Sequence, residues 1–173
     1  MPADFTVEDG TGLADANAYI TPTEMREYFN DRGVTFTETD DELQLVIVEA
    51  TDYVEIRFYS NFRGSPEFPE TQALSFPRTG IYGKNGVELA TIPTVLKNAI
   101  AEYAKRALSA PLLTDPTLSQ AVKRTRDKVG PLETEVEYLG GFVPTINTYT
   151  KPDLMMREIT QGGRSPYSGC AYR

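Results

Sequence analysis

A chain of 173 residues with 40% hydrophobic and 24% charged side chains has the size and composition of an ordinary globular domain, able to bury a core without disulfide or metal staples. It holds no histidine and one cysteine, Cys170, which excludes an intrachain disulfide, a zinc site of the usual Cys/His kind and the commonest general base. The net charge of −8 argues against simple coating of nucleic acid, and it is uneven: residues 1–60 hold 3 basic and 14 acidic side chains, whereas residues 61–173 hold 14 and 11.

This asymmetry reads either as a solvated acidic face or as a polar subunit whose acidic side meets a neighbour's basic side. The acidic start, MPADFTVEDG, has no apolar segment of the signal-peptide kind, and no apolar run approaches the length of a membrane span. The expectation is a protein made and kept in the cytosol of its host cell.

Residues 4–9, DFTVED, suggest a short strand or extended arm, followed by turn chemistry at Gly10, Gly12, Asp15 and Asn17. Thr21-Pro22-Thr23-Glu24 announces a helix with a capping box and proline at its first position. Met25, Tyr28 and Phe29 make its buried face, and Gly33 ends it. Thr39 and Glu42 form a second capping box before the longest helix, Asp40–Ser60. There Leu43, Val46, Ile47, Ala50, Val54 and Phe58 recur at helical spacing, while Leu45, Val48 and Ile56 add a partial second stripe. That second stripe predicts contacts on more than one side.

Residues 61–91 are rich in glycine and proline and read as a long connection tied down by Leu74 and Phe76, with Arg78 expected to pair with an acid of the central helix. A third helix is predicted from Pro93 to about Ser109, with Leu96, Ala99, Ile100, Tyr103, Ala107 and Leu108 on one face. Its alanines permit close approach of the central helix. From 120 to 139 the period becomes two. A basic strand carrying Lys123, Arg124, Arg126 and Lys128 precedes a Val-Gly-Pro turn and a strand with Glu133, Glu135 and Glu137 alternating. This is a β-hairpin whose opposite charges pair across the ladder. Gly140-Gly141 begins a loosely specified end, in which Leu154, Met155, Met156 and Ile159 hint at a helical turn or two.

The fold class read from these pieces is mainly α: a small bundle of three to four helices with one antiparallel β-hairpin and extended terminal arms. The division is 1–139 for the helical domain with its hairpin and 140–173 for an extended C-terminal docking tail. No catalytic constellation, metal set or cofactor motif appears. The adjacent acids Asp40 and Asp41 are explained by helix capping, and Gly80–Gly86 lacks the Lys-Ser/Thr ending of a phosphate loop. A binding or structural protein, not an enzyme, is the expectation.

The segments VEDGTGLADANAYIT, EATDYVE, QALSFPRTG and IPTVLKNAIAEYA, in this order, resemble tailed-bacteriophage head-to-tail adaptor proteins, chains that prophage genomes often label DnaT-like single-stranded-DNA-binding proteins. The resemblance runs from about Phe5 to about Tyr138. It implies a dodecameric ring in the virion neck, between the portal protein and the tail or next neck protein, with DNA passing through its lumen and no membrane or cofactor. On that reading the tail would dock on the portal or a neighbouring subunit through Leu154, Met155, Met156, Ile159, Tyr167 and Tyr172. Glu49, Asp52 and Glu55, or Glu133, Glu135 and Glu137, would line the channel and repel phosphate. The alternative is a single-stranded-DNA binder. It would use Lys123, Arg124, Arg126 and Lys128 for phosphates, with Tyr138 and Phe142 as stacking platforms.

Overall fold

Both capping boxes form, and they set where the first two helices begin. The Thr21 hydroxyl accepts from the Glu24 backbone N–H while the Glu24 carboxylate accepts from the Thr21 N–H, and α1 runs Pro22–Asn30. Thr39 and Glu42 repeat the arrangement at the start of α2, Asp40–Phe58, which closes in a 3-10 turn at Tyr59–Asn61. α3 spans Thr94–Ala107 and α4 spans Thr150–Met156. The computed structural model describes residues 4–83, 85–114 and 147–161 with their side chains, and the strands 122–128 and 133–138 as backbone. The architecture is mainly α with one antiparallel hairpin, as the periodicities predict.

Two compact units divide the chain: Met1–Leu112 with Thr148–Arg173, and Leu113–Asn147. In the first, α2 and α4 both pack on α3, and α1 touches α2 and α3. Leu43, Ile47, Ala50 and Val54 of α2 and Leu96, Ala99, Ile100 and Ala104 of α3 are fully buried. Small side chains on both helices bring the backbones close. Val46 and Phe58, expected in the same stripe, are half-buried. Among the described residues the second stripe is covered only in part: Val48 is half-buried, while Leu45 is 58% and Ile56 67% exposed. The other buried side of α2 is made instead by Thr51 and Tyr53.

Residues 4–20 fold back on themselves, with Val7 bridging Ala18. The buried Glu8 carboxylate accepts from the N–H groups of Gly10, Gly12 and Leu13, which gives this turn its own internal anion. The long connection is pinned as expected by Phe76, which is fully buried with its ring edge-on to Tyr19 and Phe62, while Leu74 is half-buried. A two-residue ladder joins β1, Ser65–Pro66, to β2, Arg78–Thr79. Gly64 at its edge has φ +69°, and a Cβ there would lie 2.1 Å from the Thr79 carbonyl oxygen, so glycine is required. Arg78 does not pair with an acid of α2. Its guanidinium donates to the carbonyls of Arg63, Ser75 and Gly64, tying two arms of the loop together.

The boundary at 139/140 is displaced by α4. Residues 148–161 belong to the helical unit: Met156 and Ile159 are fully buried, Thr160 bridges Phe62, and the Arg63 N–H donates to the Ile159 carbonyl. Met156 and Ile159 are thus core residues of this chain and are not available to dock elsewhere. Their spacing alone does not distinguish a docking stripe from an internal one, because both demand the same apolar face.

The second unit is described through β3, Val122–Lys128, and β4, Glu133–Tyr138, which pair antiparallel. Its register sets Arg124 across from Glu137, Arg126 from Glu135 and Lys128 from Glu133, with an irregularity between Val122 and Arg124.

Candidate functional site

Three carboxylates hold the helical unit together, and each uses different chemistry. Glu55 of α2 is surrounded by neutral donors. It accepts from the Tyr19 hydroxyl at 2.6 Å, from the Ser75 N–H at 3.2 Å and from the Ser75 hydroxyl at 2.5 Å, and the Phe76 N–H in turn donates to the Tyr19 oxygen at 3.0 Å. Burial, then the adjacent Glu55 charge, pushes the Tyr19 phenol well above its ordinary value, so it stays a donor. This network is how QALSFPRTG is fastened to α2.

Asp153 of α4 is the second. Arg57 of α2 meets it with two bonds of 3.0 and 2.7 Å, the Tyr103 hydroxyl of α3 donates at 2.5 Å, and the Tyr149 N–H donates at 3.1 Å. The rings of Tyr53, Tyr103 and Tyr149 meet beside it, with centroids 4.9 to 5.9 Å apart. Burial pushes the Tyr53 phenol up to about 12. A bidentate guanidinium–carboxylate pair, one partner on each of two helices, fixes α4 in place more firmly than its seven residues could by helix propensity.

Glu102 of α3 is the third and is almost wholly buried. It accepts from the Tyr28 hydroxyl at 3.0 Å, from Arg106 at 3.0 Å and from Lys151. Burial acts to raise its pKa, but the hydrogen bonds from Lys151, Arg106 and Tyr28 prevail and hold it below the ordinary glutamate value. Around it stand more cations than it needs. Arg32 lies 3.6 Å over the Tyr28 ring, Lys105 5.0 Å over Phe29, and Arg106 5.9 Å from Tyr149.

The acids proposed to line a channel are drawn into such internal work. Glu49 accepts from the Leu112 N–H at 2.8 Å, Glu55 anchors the loop, and Asp52 alone of the three is an exposed side chain. Glu133, Glu135 and Glu137 are placed by backbone only, each with a basic residue as its Cα partner; Lys123 falls at the irregularity and has none in that register. Of the docking residues, Leu154 is 51% exposed and Met155 half-buried, while Tyr167, Tyr172 and Phe142 lie outside the described residues. Tyr138 is the Cα partner of Val122.

A shallow groove of about 310 Å³ between α1 and α3 is lined by Glu24, Glu27 and Asp31 as well as by Arg32 and Lys97, a wall of mixed charge. Among the described residues no group of three or more acidic, Cys or His side chains is arranged to hold a metal, and no helix is long and apolar enough to cross a membrane. The Asp153 and Glu102 clusters are not visible in the sequence, because the bonds that join their elements span 49 to 96 positions, contacts that no local pattern encodes.

A family model described as "Putative DnaT-like ssDNA binding protein" matches residues 3–173. No curated protein and no solved structure matches the chain. The family match overturns the head-to-tail adaptor reading, and with it the virion, neck, connector and portal roles. The reason lies in what the quoted motifs do. VEDGTGLADANAYIT carries the Glu8 turn, and QALSFPRTG the loop held by Glu55. IPTVLKNAIAEYA carries the buried face of α3. They specify a fold, and a fold does not say where in a particle, or whether in one, the protein works.

Proposed function

Because the chain belongs to the DnaT-like ssDNA-binding family, we propose that it binds single-stranded DNA as a non-catalytic protein. The full-length family match is the observation that carries this reading. The hairpin supports it with four cations in one seven-residue strand, at positions 123, 124, 126 and 128. Single strands are bound chiefly through their phosphates by such tracks, without sequence readout. The glutamates across the ladder from Arg124, Arg126 and Lys128 temper the attraction. A nucleic acid must compete with them for the cations, so binding through this strand is weak at physiological salt and strong at low salt.

The test is a gel shift of a labelled single strand at low ionic strength, with the intact protein and with Lys123, Arg124, Arg126 and Lys128 all replaced by glutamine. The intact protein retards the strand and the variant does so at least tenfold less well, an estimate from about four phosphate contacts. Failure of the intact protein to retard the strand contradicts the reading.

A further inference from the structure

α1 and α3 run side by side in the same direction, as shown by Glu24 with Lys97, Tyr28 with Glu102 and Phe29 with Lys105 in succession. Their C-terminal ends therefore meet, and the start of α4 joins them there. On a unit whose first 60 residues are strongly acidic, this edge reverses sign. Arg32 stacks on Tyr28, Lys151 sits 5.9 Å from the same ring, and Lys105 caps Phe29, whose ring centroid is 4.9 Å from that of Tyr28. Arg106 follows on α3.

Glu102 beneath them pairs with Arg106 and Lys151. Among the described residues no carboxylate forms an ion pair with Arg32 or Lys105. Asp31 is the acid next to Arg32 in sequence, and it is exposed. Complementing helix dipoles accounts for cations in the last turn of α3. Lys151 stands in the first turn of α4, where the dipole opposes a positive charge, and its ion pair with Glu102 is what places it there.

We infer that this edge is a second contact surface for the sugar-phosphate backbone of single-stranded DNA, an inference that rests on the single-strand-binding reading above. Tyr28 holds the Arg32 guanidinium over its ring, and the Tyr28 carbonyl accepts from Arg32 Nη1, which fixes the group and leaves its other N–H donors for a phosphate, while Lys105 acts as a point charge beside it. Tyr28 and Phe29 are themselves buried, so they are platforms for the cations and not for bases. Contact here is accordingly independent of base sequence.

Full-length protein and an Arg32→Gln/Lys105→Gln variant are titrated into a fluorescein-labelled oligothymidylate over a series of salt concentrations, following anisotropy. Neither side chain pairs with a carboxylate among the described residues, and matching thermal melts verify that the fold is kept. The variant is expected to bind about five- to tenfold more weakly near 100 mM salt, with a log–log salt slope shallower by about 1.4, since each single-strand phosphate contact contributes about 0.7. An Arg26→Gln/Lys97→Gln variant removes the same charge from cations already paired with Asp40 and Glu24. It is expected to bind as the intact protein does. Equal affinity and slope for the intact protein and the Arg32/Lys105 variant overturn the inference, and so does an equal loss in both variants. Absence of binding by the intact protein overturns the single-strand reading itself, and this surface falls with it.

Discussion

Glu55 and Glu102 are the same residue on neighbouring helices, yet they do opposite things with their charge. Glu55 is met by a phenol, a hydroxyl and an amide, all neutral, and its role is to fasten a loop. Glu102 is met by two cations and a phenol, with two further cations nearby that it does not pair with. The first is a closed network in which every donor is used up internally. The second is a counter-ion beneath an edge that stays positive. On an acidic protein, phosphate recognition depends on where charge is left uncompensated, more than on the net total.

The largest effect should come from breaking the closed network. Glu55→Ala removes the acceptor of the fully buried Tyr19 hydroxyl and of the Ser75 N–H, and unsatisfied buried donors cost about 1–3 kcal/mol each. A loss of about 2–4 kcal/mol is expected in denaturant unfolding, with single-strand affinity unchanged. An equal loss of affinity would remove the distinction between the two carboxylates.

Glu102→Gln probes the open network and should cost less, about 1–2 kcal/mol near neutral pH, because the amide keeps the Tyr28 bond and the cations are partly solvated. Single-strand binding should tighten about two- to fivefold, since the edge gains net positive charge. The pH dependence sharpens this further. Glu102 has its folded pKa below the ordinary 4.5, so its ionised form stabilises the fold fully above that value and the contribution disappears as the pH falls through the folded pKa. The stability gap between the intact protein and Glu102→Gln should therefore be constant from pH 7 to 5 and close on further acidification. A gap that does not begin to shrink below pH 4.5 would contradict the ion-pair account.

The smallest effect is expected at Lys97, whose bond to Glu24 is also a cross-helix pair between α1 and α3 but is only half-buried on both sides, where Glu102 is almost wholly buried. Lys97→Gln should change stability by about 0–1 kcal/mol, measured by thermal melting. A larger change would mean that burial is not what separates the pairs.

Much of the fold was legible because it is locally encoded. Thr21 with Glu24 and Thr39 with Glu42 announce helix starts within four residues, and the hairpin shows in a period-two charge alternation. Phe76 as an anchor follows from an apolar residue inside a glycine-proline stretch. What was not legible depends on distance. The short helix α4 has no side-chain cap, and what fixes it is Asp153 against Arg57, 96 residues away. The second apolar stripe of α2 was real as a pattern, but among the described residues no element covers Leu45 and Ile56. The cationic edge is assembled from Arg32, the adjacent Lys105 and Arg106, and Lys151, three separate places in the sequence that only the packing of α1, α3 and α4 brings together. The adaptor reading failed for a related reason. Its motifs encode caps, turns and core, which different functions can share.

The central claim is that this acidic chain binds single-stranded DNA through phosphate contacts. Its most direct test is the affinity of the intact protein for an oligothymidylate and for a duplex of equal length, measured from low to physiological salt. The account predicts binding to the single strand that weakens linearly on a log–log plot, with a slope of about −2 or steeper for three or more phosphates. Single strands should also be preferred over duplex. No binding at low salt, or an affinity indifferent to salt, would contradict it.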